Sequence, residues 1–312
     1  MNFGAHISIA GGIDNAPKRA REIGCECFQI FSKSPHGGKS LEITEKMADN
    51  FKKQCEIYNL KNYYIHTPYY INLASANNRI YYGSISAIKE ELNKADLIGT
   101  IAVVTHLGSA KDLGKKEAEK KLIEGLKKIF QQSPAPKSKR LIIPPLKRAC
   151  PERLAERGAG GISGEKIFKA HLLLEITAGA GEIMGDTFEE MAYFIKETEK
   201  EIKDNKLGVC FDTAHAFASG YDLRNEKAVK ETFDKFDKVI GIERLKLIHC
   251  NDSLAELNSH KDRHDNIGSG KIGLEGFKAI LSDKRLENLD FIIETPNGKE
   301  KEDLEILRKI NC

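Results

Sequence analysis

Six apolar stretches of this chain end on a histidine or a carboxylate. His66 closes "NYYIHT" (62–67) and His106 closes "IAVVTHLG" (101–108). Glu175 lies in "HLLLEITA" (171–178), and Asp212 with His215 in "LGVCFDTAH" (207–215). His249 ends "RLKLIHCND" (244–252), Glu294 ends "LDFIIETP" (289–296), and the later "KDRH" adds Asp262 and His264. Imidazoles mixed with carboxylates, with no thiolate required, are the ligand set of zinc and similar divalent ions. Taken singly, each has an ordinary structural explanation. Taken together, Glu175, Asp212, Asp262 and Glu294 would repel one another and take up protons unless cations neutralised them. A catalytic zinc uses about three protein ligands and keeps a position open. Nine such residues therefore suit three ions, with one carboxylate bridging two of them. Three divalent ions against four carboxylates leave net positive charge, which suits a hydroxide and a phosphodiester.

Positioning these residues requires strands that all point the same way. "FGAHIS" (3–8), "CFQIFS" (27–32) and the six stretches above make eight candidate strands. Most are nearly continuous apolar runs, as expected of parallel strands covered on both faces. Between them the sequence predicts helices. Asp14 is expected to cap one running through Glu22, with Gly24 ending it. Others are expected over 44–59 behind a Thr cap, 84–99, 115–130, and 187–202 behind the capping box Thr187/Glu190. Segments 225–240, 274–282 and 300–310 complete the set. Strand–helix alternation repeated eight times predicts an α/β fold, a single (β/α)8 TIM barrel over 1–312. Active sites of such barrels lie at the carboxyl ends of the strands, where the residues above fall.

Residues 133–170 break the rhythm. They hold Pro134, Pro136, Pro144, Pro145 and Pro151, the run "GAGGISG", and nine basic residues against three acids. A connection this long is unusual inside a compact domain. It reads as a basic, Pro/Gly-rich insertion between helix 4 and strand 5, with a solvated loop favoured over a nucleic-acid arm.

Bulk properties narrow the partners only a little. The chain has 312 residues, 40% hydrophobic and 30% charged, with a net charge of +3. Any nucleic-acid surface must therefore be a local patch. No apolar run approaches the roughly 18 residues of a membrane helix, and the start lacks a secretory pattern. The seven cysteines form no C-x-x-C pair, so reduced thiols and a cytoplasmic location are expected. His6 is expected beside the ligands, orienting one of them or a water. "GSGKIG" (268–273) lacks the Walker spacing and reads as a turn.

"LLLEITAGAG" (172–181), "LGVCFDTAHAFASGYD" (207–222) and "DRHDNIGSGKIG" (262–273) closely resemble the signature segments of the endonuclease IV family. "FGAHISIAGGIDNA" (3–16) and "IHTPYYINLAS" (65–75) match as well, and the resemblance spans nearly the whole chain outside 133–170. It implies a zinc-dependent endonuclease of base-excision repair, cutting the phosphodiester 5′ to abasic sites and trimming blocked 3′ ends of double-stranded DNA. It implies three zinc ions: His66, His106 and Glu175 on the first; Glu175, Asp212, His249 and Glu294 on the second; His215, Asp262 and His264 on the third. Glu175 would bridge the first two. Glu294 would position or deprotonate the attacking oxygen, and Arg263 would stand near a phosphate oxygen as the 3′-oxygen departs. The damaged nucleotide must leave the stack and the duplex must bend. Tyr69 and Tyr70 resemble the family's duplex-probing loop, and Lys33 is a further expected DNA contact. The chain departs from the family in the loop "SKSPHGGKS" (32–40), where an Arg and a large aromatic are usual. It also has Leu254 where a Lys is usual, and Asn258 where a Gly is usual. A monomer is expected.

The rival reading is a metal-dependent sugar isomerase or epimerase, which would use Glu175, Asp212, His249 and Glu294 alone. A third is a binding protein for damaged DNA that has lost turnover; the complete ligand set argues against it.

Overall fold

A computed structural model of the chain describes residues 1–34, 42–131, 168–202, 206–296 and 298–311. The strands β1 (Asn2–His6), β2 (Cys27–Phe31), β3 (Asn62–His66), β4 (Ala102–Thr105) and β5 (His171–Glu175) are followed by β6 (Leu207–Asp212) and β7 (Leu245–His249). A two-residue ribbon, β8 (Asp252–Ser253) with β9 (His264–Asp265), precedes the last barrel strand, β10 (Asp290–Ile293). All eight expected strands exist. They pair in parallel and close a barrel in the order β1-β10-β7-β6-β5-β4-β3-β2. This is the TIM barrel that the alternation predicts.

The barrel holds two apolar layers. Cys27, Tyr64, Ala102, Val104, Leu173, Cys210, Leu247 and Ile292 pack together, separate from the larger core of the molecule. In a closed barrel, alternate side chains of each strand fill the lumen. At the opposite end from the histidines, Asp290 accepts hydrogen bonds from Asn2 (2.7 Å), Asn62 (2.8 Å) and Tyr64 (2.6 Å). Gly4 has no room for a side chain: a Cβ there would lie 1.8 Å from the Cys27 carbonyl oxygen.

Helices α1 (Ala16–Glu22), α2 (Glu45–Ile57), α3 (Asn78–Ile98), α4 (Lys115–Phe130) and α5 (Phe188–Glu199) ring the sheet. They are joined by α6 (Thr213–Ala218), α7 (Glu226–Val239), α8 (Gly273–Ser282) and α9 (Glu300–Ile310). Four expectations about these helices are corrected. Asp14 does not cap α1; it sits in a 3-10 turn, Ile13–Asn15, and its carboxylate accepts from Asn50. Helix α3 starts at Asn78, not 84, because the Asn77 side chain accepts from Arg79 N–H and Ile80 N–H. Thr187 caps α5, but Glu190 turns away to accept from Gly185 N–H and pair with Lys115, so only half of a capping box forms. Helix α6 is an addition to the expected set. It begins directly after β6 because Asp212 caps it.

The expected insertion, 133–170, lies outside the described residues except for Phe168, Lys169 and Ala170. The backbone N–H groups of Lys169 and Ala170 donate to Asp96 on α3. No helix of the described residues is long and apolar enough to cross a membrane.

Candidate metal centre

The barrel gathers the ligand residues at the carboxyl ends of β3 to β7 and β10, as the parallel arrangement requires. Glu175 ends β5 and is fully enclosed. Its Oε2 lies 2.9 Å from His66 Nε2 and 3.5 Å from His106 Nε2. Its Oε1 lies 3.1 Å from His249 Nδ1 and 3.5 Å from His215 Nδ1. One carboxylate thus faces histidines on both sides. Potential ligand atoms fall into three groups, each within 4.8 Å internally: His66, His106, Glu175; Glu175, Asp212, His249, Glu294; and Asp212, His215, His264. Asp262 adjoins the third group, its Oδ1 3.3 Å from His215 Nε2 and 3.5 Å from His264 Nε2. All nine residues meet at one end of the barrel.

The D-x-x-H spacing of Asp212 and His215 has a local cause. Oδ1 of Asp212 accepts from His215 N–H at 2.8 Å, which starts α6 and swings the imidazole to the rim. Oδ2 accepts from Asn251 Nδ2 at 2.7 Å and lies 3.8 Å from His264 Nε2. The same Asn251 accepts from Glu294 N–H at 2.7 Å. The loop carrying Asp262 and His264 is anchored by Asp252, whose carboxylate accepts from the N–H groups of Ser253, Gly268, Gly270, Ile272 and Gly273. The "GSGKIG" turn therefore wraps a protein carboxylate.

The histidines fit a metal in a second respect. A ligating imidazole normally has its other nitrogen tied to an acceptor. His66 Nδ1 lies 2.7 Å from Thr67 O, His215 Nδ1 3.0 Å from Ile176 O, and His249 Nε2 3.0 Å from Gln29 Oε1. Each leaves its remaining nitrogen aimed at the carboxylates. The charge balance points the same way. Burial opposes ionisation of Glu175, yet His106 and His249 together with bonds from His215 and His249 hold it well below the usual carboxylate range. Burial likewise works against charge on His215 and His249. Asp212 overrides it at His215, and Cys210, Glu294 and Glu175 override it at His249, raising both. Asp262, also desolvated, is held at about 2 by His215, His264 and His106. Glu175 and Asp262 stay ionised and draw positive charge, as a site for divalent cations must.

Above the ligands is a cavity of about 400 Å³ whose walls include Phe31, Tyr69, Thr295 and Glu294. A second, more apolar cavity of about 460 Å³ adjoins it, lined by Tyr69, Tyr70, Ile80 and Ile183 among others. Tyr69 and Tyr70 are 59% and 44% exposed, so both can reach a ligand on this face. Arg263 is also exposed, its Nη1 donating to the Asp262 carbonyl. Lys33 is different. It is buried, with its ammonium 3.1 Å from Glu91 and 3.3 Å from Glu90. Its charge is committed to the interior, so the expected contact with DNA phosphate is withdrawn. Residues 35–41, which include most of the 32–40 loop, lie outside the described residues. Leu254 is 56% exposed beside the β8–β9 ribbon.

Sequence reasoning missed Gln29 and Asn251. Gln29 is hidden inside the apolar run of β2, where periodicity shows only a core position. Asn251 has one available signal, its place two residues after the strand-7 histidine and directly before Asp252.

The fold and this centre define a class, a TIM barrel with a histidine–carboxylate site at its carboxyl rim. Residues 17–310 match the family described as xylose isomerase-like TIM barrel. Within that class the comparisons are specific. Proteins named probable endonuclease 4 from Halothermothrix orenii and Chlorobium phaeobacteroides are 35% and 36% identical to this chain. Those matches cover 97% and 99% of this chain and 96% and 99% of theirs. The crystal structure of endonuclease IV from Thermus thermophilus matches with a TM-score of 0.78 and 31% identity, over 99% of this chain and 98% of that one. The chain belongs to the endonuclease IV family. A D-tagatose 3-epimerase-like protein shares the fold, with a TM-score of 0.68 at 19% identity over 99% of this chain and 97% of that one.

Proposed function

We propose that this chain is a DNA-repair phosphodiesterase that hydrolyses the bond 5′ to abasic sites in double-stranded DNA and trims blocked 3′ ends. The observation that carries the reading is the three ligand groups meeting at one rim, two of them sharing Glu175. Three zinc ions would be held as follows: His66, His106 and Glu175; Glu175, Asp212, His249 and Glu294; His215, Asp262 and His264. Zinc bound there supplies Lewis-acid polarisation of the phosphate and neutralises charge that develops in the transition state.

The reaction is an in-line displacement at phosphorus. A water oxygen forms the new bond to phosphorus, the bond to the 3′-oxygen breaks, and that oxygen leaves as an alkoxide that takes a proton from solvent water to become the 3′-hydroxyl. Glu294 lines the polar cavity and accepts at Oε1 from Gln29, and its carboxylate, so held, orients the incoming water and takes its proton. Arg263, on the exposed rim beside Asp262, binds a non-bridging phosphate oxygen. Tyr69 and Tyr70 lie against the abasic gap and neighbouring bases, and the apolar cavity beside them shields the displaced nucleotide from water. The enzyme acts in the cytoplasm as a monomer, with 133–170 as an insertion in one catalytic domain.

The test is incubation of zinc-loaded protein with a duplex carrying one tetrahydrofuran abasic analogue. The expected product is a single nick 5′ to the lesion with a free 3′-hydroxyl. Zinc-loaded protein that leaves the duplex intact overturns the repair reading. If the same protein interconverts ketohexose epimers, the sugar-epimerase reading takes its place.

A further inference from the structure

Gln29 is an anomaly in β2. It is fully buried in an otherwise apolar strand, and its side-chain amide meets only other side chains. Its three contacts are made to His6, His249 and Glu294, at the metal centre. The side-chain nitrogen donates to Glu294 Oε1 at 2.7 Å and lies 3.1 Å from His6 Nδ1. The side-chain oxygen lies 3.0 Å from His249 Nε2.

These contacts fix the amide's orientation. An ionised carboxylate can only accept, so the corner facing Glu294 must be the NH2. The opposite corner is then the carbonyl, and His249 must carry a proton on Nε2 to donate to it. His249 is left with Nδ1 facing Glu175 at 3.1 Å and Glu294 at 3.3 Å. Glu294, held through Oε1, presents Oε2 to the same space. The second NH2 hydrogen points to His6 Nδ1, which accepts it as a neutral ring.

We propose that Gln29 is a positioning residue of the metal centre. One amide, contributed from β2 across β1, sets the tautomer of His249 and the rotamer of Glu294, and so preorganises the ion site that those two ligands share. The inference rests on the metal centre proposed above but not on its DNA substrate. A purely structural Gln would need only satisfied hydrogen bonds; here two of the four ligands of one ion are held by the same group.

The test uses full-length Gln29→Met, which keeps the length and removes donor and acceptor. Zinc affinity is read by competition with a chromophoric chelator, with no DNA present. The expected result is a variant that unfolds cooperatively like the wild type while one zinc equivalent binds about 10–100-fold more weakly. A variant that binds every equivalent as tightly as the wild type overturns the role of Gln29. Wild-type protein that binds no zinc overturns the metal centre and this role together. Failure to nick DNA with normal zinc binding overturns only the substrate reading. Should Gln29→Met not fold, nitrogen NMR of the zinc-loaded wild type decides. His249 protonated at Nε2 and ligated through Nδ1 supports the proposal; ligation through Nε2 overturns it.

Discussion

Glu175 is the residue on which the centre turns. It faces His66, His106, His215 and His249 at once. Its burial makes each of those contacts strong, because charges interact more strongly away from water. Glu175→Ala is expected to lower bound metal by at least one equivalent, read by elemental analysis, and to abolish nicking of abasic duplex. Full metal content in that variant refutes the bridging role. Tyr70 belongs to a different part of the proposal. Base stacking on an aromatic ring is worth about 1–3 kcal/mol, so Tyr70→Ala is expected to raise KM for abasic duplex about tenfold. Its metal content should stay at the wild-type level. An unchanged KM removes Tyr70 from the DNA contact.

At the scale of elements, the ligands are carried by two kinds of support. Those on β3, β5, β6 and β7 sit on or at the end of paired strands, and the sheet fixes them. Asp262 and His264 sit on an irregular connection that has only the short β8–β9 ribbon for regular structure. Asp252 supplies the missing rigidity by collecting five backbone N–H groups. Asp252→Ala leaves those donors without a charged acceptor and is expected to cost about 3 kcal/mol in urea unfolding. Proteolysis of 254–263 should quicken in the same variant, while the His66–His106–Glu175 group keeps its ion. Wild-type stability would refute the anchoring role. Glu91 acts similarly on the other side of the rim. Fully buried, it joins Lys33, Lys94 and Ser32, and so ties the end of β2 to α3.

The whole molecule is a barrel whose thiols, among the described residues, are sealed. Cys25, Cys27, Cys55, Cys210 and Cys250 are all buried. Burial pushes Cys25, Cys55 and Cys210 up to about 12, and Cys27 and Cys250 well above their usual range. In the unfolded chain the same thiols ionise near their ordinary value of about 8.5. Above that pH the unfolded state binds fewer protons than the folded one, so stability falls as pH rises from about 8.5 toward 12. Below about pH 8 these groups contribute no pH dependence. Urea midpoints at neutral and strongly alkaline pH (roughly 7.5 and 10, either side of the free-thiol value) check the sign, and a higher alkaline midpoint refutes it. Iodoacetamide at about pH 8 is expected to leave these five thiols unmodified in the native protein, since the thiolate is the reactive form.

By itself, the sequence determined the eight strands, their parallel sense and the nine rim residues. Continuous apolar runs ending in His, Asp or Glu carry that information locally, one strand at a time. It also determined the simple caps, Thr44 and Thr187, which need only a side chain and a nearby N–H. Asp14 and the second half of the Thr187 box went otherwise because Asn50 and Gly185, remote or differently placed in the chain, offered those carboxylates another partner. Lys33 reads as a DNA contact until α3 brings Glu90 and Glu91 against it. Gln29 looked like a core position until closure of the barrel set it between His249 and Glu294. Only the tertiary structure could decide the last two cases, because a charge or an amide takes its role from the partner it meets, and those partners lie 57 to 265 residues away along the chain.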